Sequence, residues 1–106
     1  MNAADARKIA ESVAEETIDT EQDPNGEEVR ELSEDPVFQS LAIAFSELES
    51  AERAHTDRGL DFRFAGEPVS YARTFSDTAR GNLRLAISER AQFVLGRSVP
   101  HREVEA

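Results

Sequence analysis

The sequence predicts a small, mainly α-helical domain: two long helices joined by a short extended strand and turn, with one further helix at the N-terminus. Three observations predict it. Apolar residues recur at helical spacing over 36–56 and again over 70–95. Helix-start and helix-stop residues stand at the borders of both segments. Between them the pattern switches to the alternation of a half-buried strand. The organisation that follows is an acidic N-terminal arm with one helix (1–35), a helix–extended–helix core domain (36–96) and a C-terminal tail (97–106).

The first helix is predicted over 3–18. Ala6, Ile9, Ala10, Val13 and Ile18 fall on one face, and Glu11, Glu15 and Glu16 on the other. That apolar stripe is narrow, so the helix needs a partner surface. Thr20 to Gly26 reads as a turn or linker through Pro24-Asn25-Gly26. Glu27 to Ser33 adds a short helical turn anchored by Val29 and Leu32. Asp35 and Pro36 then supply an N-cap and a first helical residue. From Pro36 to Thr56, Phe38, Leu41, Phe45, Leu48, Val37, Ala44 and Ala51 gather within an arc of roughly 140°, with Ile43 on the far side. Gly59 is the stop. Leu60, Phe62 and Phe64 alternate with Asp61 and Arg63, and 65–68 turns the chain. Ser70 caps a second long helix that runs to Leu95 and is closed by Gly96. Tyr71, Ala72, Phe75, Ala79, Leu83, Ala86, Phe93 and Val94 form its apolar face; Arg73, Asp77, Arg80 and Arg84 lie opposite. The sequence contains no internal repeats.

A chain of 106 residues with 39% hydrophobic content has enough for one modest core and marginal stability. No run approaches the roughly 18 apolar residues of a membrane span, and the N-terminus lacks the basic-then-apolar order of a signal peptide. There is no cysteine, hence no disulfide or thiolate chemistry. Residues 1–35 carry twelve acids against Arg7, Lys8 and Arg30, whereas the other 71 residues carry ten acids and nine bases. Eleven arginines and one lysine against 22 acids resemble the acidic, lysine-poor proteins of salt-accumulating halophilic archaea. A net charge of −10 repels itself at low salt, and molar salt, with a Debye length of about 3 Å, screens that repulsion. The alternative is an ordinary acidic protein from an arginine-rich genome. Either way, unaided binding to nucleic acid or an anionic membrane is disfavoured.

The candidate chemical sites are weak. Glu21, Asp23, Asn25 and Gly26 have the 1-3-5-6 spacing of an EF-hand loop. Pro24 interrupts it, and Leu32 stands at the twelfth position, where a bidentate Glu belongs; a solvated acidic turn accounts for it better. His55 and His101 have no ligand-spaced neighbours, and no glycine-rich phosphate loop is present. The reading is therefore non-enzymatic, with no catalytic residue, metal or cofactor. Misfits to the helical pattern are the better guide. Glu52 and Arg90 fall inside apolar arcs and need opposite charges, either each other or a neighbouring subunit's. Ile43 stands on a polar face as a candidate partner contact. Arg73, Arg80 and Arg84 form a stripe that is either solvated, with Asp77 as intrahelical partner, or a dock for the acidic arm of an adjacent copy.

Leu60-Asp61-Phe62-Arg63-Phe64-Ala65-Gly66-Glu67-Pro68-Val69-Ser70, followed by the arginine-bearing helix, resembles the small helical head–tail connector, or adaptor, proteins of tailed viruses. The resemblance runs from Ala42 to Arg90, about half of the chain, and leaves 1–35 unmatched. It implies that Phe62, Phe64, Gly66, Val69 and Ser70 form a strand and turn linking the two main helices. It also implies a structural role in the neck of the virion, reached from the host cytoplasm during assembly. Such proteins form a ring, commonly of twelve copies, between the portal and the tail-completion protein, and DNA passes through without specific binding. The rival expectation is a small cellular helical regulator or adaptor of a halophilic archaeon, with the second long helix as its only candidate DNA-recognition element.

Overall fold

The computed structural model describes residues 2–57 and 67–100, with side chains over 2–51 and 78–100. All regular structure among these residues is helical: α1 (Ala3–Thr17), a 3₁₀ turn (Thr20–Gln22), α2 (Glu27–Glu34), α3 (Pro36–Asp57) and α4 (Glu67–Leu95). The predicted strand Leu60 to Phe64, with Phe62 and Phe64, lies outside the described residues, as do Gly66 and the predicted stop of the first long helix, Gly59.

Local chemistry explains most of the boundaries. The Asn2 side chain accepts the Asp5 N–H at 2.9 Å and opens α1. Asp23 reaches forward over the Pro24-Asn25 turn and accepts the N–H groups of Glu28 and Val29, both at 3.2 Å, capping α2. The EF-hand-like spacing is thus a helix start, and no group of three His, Asp or Glu among the described residues is arranged to hold a metal ion. Asp35 caps α3 as its sequence predicts, accepting the Phe38 N–H at 2.7 Å. Gly96 ends α4 at φ +67°, the left-handed conformation that glycine adopts without strain.

The second long helix begins earlier than expected. It starts at Glu67, so Val69 and Ser70 are helical and Ser70 is not the cap. Glu67 is acidic in the first turn, and Pro68 sits where a missing N–H breaks no helical bond, so the sequence allows this start.

The acidic N-terminal segment is no detached arm. Ala10, Val13, Ala14 and Ile18 of the α1 segment share one core with Leu32 of α2, Phe38, Ala42 and Phe45 of α3, and Ile87 and Ala91 of α4. The start of the predicted tail joins it: Val99 is buried, and its N–H donates to the Gln92 side chain at 3.1 Å.

Both long helices are rotated from the expected orientation. Among the described side chains of α3, Phe38, Ala42 and Phe45 are buried, while Val37 is 47% exposed and Ile43 is half-buried. Among those of α4, Ile87, Ser88 and Ala91 are buried, and Phe93, expected in the core, is 74% exposed. A helical wheel scores arginine as polar throughout, yet its aliphatic stem packs against apolar surface while its head reaches a partner. Here the arginine side of α4 faces α1 and α2.

Candidate interaction surface

The inward side of α4 is fastened by ion pairs to the acidic segment. Arg84 donates to Glu16 of α1 at 2.9 Å and lies over the Phe45 ring, 4.5 Å from its centroid. Arg90 donates through Nε and Nη2 to the two oxygens of Asp35, at 2.8 and 2.7 Å. Just beyond α4, Arg97 makes the same two-pronged contact with Glu28 of α2. A looser, exposed pair, Arg7 with Glu34 at 3.7 Å, ties α1 to α2.

These pairs shift the titration of their acids. The Arg90 guanidinium holds the Asp35 carboxyl below the ordinary carboxylate range; burial opposes this and the Phe38 N–H reinforces it. Arg97 does the same to Glu28. Arg90 and Arg97 are raised in turn by the carboxylates they grip.

The pairing bears on two sequence expectations. Arg90 is matched by Asp35, a residue read only as a helix cap; the side chain of Glu52 lies outside those described. Arg84, one residue of the predicted stripe, meets Glu16 in the N-terminal segment of its own chain. Arg80 is half-buried on the same side; the side chain of Arg73 lies outside those described. Ile43 is not an isolated exposed residue but half-buried on α3.

With Arg80 and Arg84 turned inward, α4 presents a different face to solvent. Thr78, Gly81, Asn82, Leu85, Glu89 and Phe93 are all exposed. At 100° per residue they span an arc of roughly 120°. Leu85 is 46% and Phe93 74% exposed, and the Arg90 guanidinium lies 4.7 Å from the centroid of the Phe93 ring. The Asp35 grip on Arg90 therefore also positions a cation against this exposed aromatic. Sequence reasoning missed Leu85 altogether and placed Phe93 inside. The available signal was Arg90 and Phe93 at i, i+3, the spacing at which a cation meets a ring on one helix surface.

A groove of about 180 Å³ lies between α1 and α3, lined by Ile9, Val13, Glu16, Phe45, Ser46 and Glu49 among others. Glu16 and Phe45 are the residues that Arg84 engages, so this groove is part of the helix-fastening network. No described helix is long and apolar enough to cross a membrane. No family model, curated protein or solved structure matches the chain.

Proposed function

We propose that this chain is a non-enzymatic assembly adaptor, and specifically a head–tail connector of a tailed virus with a halophilic host. In this reading it forms a ring between portal and tail-completion proteins, with DNA passing through unbound. One observation carries the assembly reading: a helix fastened by ion pairs on its inner side turns Leu85 and a propped Phe93 outward. Exposed aromatics on well-anchored elements are the residue type that dominates protein contacts. The connector assignment within that class rests on the resemblance of 60–75 and on the acidic, lysine-poor composition.

The rival, a DNA-binding regulator, would read bases or phosphates with the arginines of α4. Arg84 and Arg90 instead bond Glu16 and Asp35 in the same chain, which weighs against it. The experiment is to isolate tagged protein from its host or its particles in molar KCl and identify what accompanies it by mass spectrometry. Recovery of a portal and a tail-completion protein is the expected result. Recovery of host factors or nucleic acid alone would discard the connector.

A further inference from the structure

We infer that two copies of the free chain pair through the outward face of α4, antiparallel, about a two-fold axis passing between residues 85 and 86. The first argument is charge. On a chain of net charge −10, the exposed stripe Thr78, Gly81, Asn82, Leu85, Glu89 and Phe93 carries one acid, Glu89, with the Asp35-paired Arg90 guanidinium at its edge beside Phe93. A basic partner would be met by acids; two like-charged copies approach most readily across a face that is nearly free of them.

The second argument is self-complementarity, which a two-fold contact requires because each residue must suit its own mate under the same rotation. An axis between 85 and 86 pairs Glu89 with Asn82 of the other copy, Phe93 with Thr78, and Leu85 with its own counterpart close to the axis. The one carboxylate thus meets an amide that can donate to it, and the large ring meets the small Thr78. Parallel pairing would instead set Glu89 against Glu89.

One helix face falls short of the roughly 800 Å² per partner of a standard interface, so the pair is weak, concentration-dependent and favoured by salt. Being closed, it cannot grow into a ring and describes the free chain in solution. It rests on the assembly reading only in treating this face of α4 as a contact surface.

The natural absence of cysteine makes the test direct. Single variants Leu85→Cys, Phe93→Cys and Ser50→Cys, the last an exposed control on α3, are oxidised in molar KCl and followed by non-reducing electrophoresis. Leu85→Cys should link to itself well ahead of Ser50→Cys. Phe93→Cys should not, because each copy's residue 93 lies about 11 Å along the helix from the axis; it should link instead when mixed with Thr78→Cys. Sedimentation of the cysteine-free chain should show a dimer that Asn82→Asp, which sets a carboxylate against Glu89, weakens about tenfold. Self-linking of Phe93→Cys ahead of Leu85→Cys, Leu85→Cys linking no faster than the control, or a chain that stays monomeric at its solubility limit would each overturn the pairing. None of these results bears on whether a portal co-purifies, so the two readings fail separately.

Discussion

Asp35 accepts three hydrogen bonds at once, from the Phe38 N–H and from two nitrogens of Arg90, and so joins a helix start to a helix 55 residues away. Asp35→Ala should cost about 1 kcal/mol for the cap alone. It should also release Arg90 from its place beside Phe93, read as altered fluorescence or NMR shifts of that ring. The pH dependence follows from the same bonds. Asp35 and Glu28 titrate lower folded than unfolded, so the stability they lend is fully present above the unfolded values near 4 and is lost as pH falls through the folded ones. In molar KCl, where general repulsion is screened, acid should therefore lower the melting temperature, and Asp35→Asn should flatten that dependence. At this scale the sequence showed the cap, because a cap is a local device. It hid the ion pair, because nothing in one helix reveals which distant arginine will arrive.

Among the elements, α2 shows how little local propensity can decide. It has eight residues, too few to stand in water, and is held by the Asp23 cap, the Arg97–Glu28 pair and fully buried Leu32. Leu32→Ala should cost about 2–5 kcal/mol in thermal or denaturant unfolding, most of the stability of so small a domain. The extents of α1 and α3 were legible from periodicity and capping, as was the C-terminal end of α4. Their orientation was not. Phe93 pulled the apparent apolar face of α4 to one side, while Arg84, whose guanidinium lies over the Phe45 ring, was counted as outward. The fold is set by where arginine heads find carboxylates, and that is tertiary information. Gly96→Ala should destabilise the end of α4 by about 1 kcal/mol, since its φ of +67° suits glycine alone.

On the scale of the molecule, the acidic N-terminal segment and the arginine-bearing α4 are two halves of one body. Among the described residues, four of the eleven in the buried core belong to the α1 segment and one to α2, so a fragment restricted to 36–106 should show no cooperative melt by circular dichroism. The intact chain, at net charge −10, should gain thermal stability from low salt to molar KCl, because self-repulsion is screened while the two-pronged, partly buried pairs are screened less. Composition made that salt dependence readable at once. It could not show that the acids of 1–35 serve the fold, since net charge says nothing of placement. The proposed function places the assembly surface on the outward face of α4. The most direct test compares the wild-type chain with a Leu85→Asp, Phe93→Asp double variant, both shown to be folded, for what they bring down from particles in molar KCl. Wild type should recover portal and tail-completion proteins, and the double variant should lose them. Equal recovery by both, or recovery of neither protein by the wild type, would contradict the account.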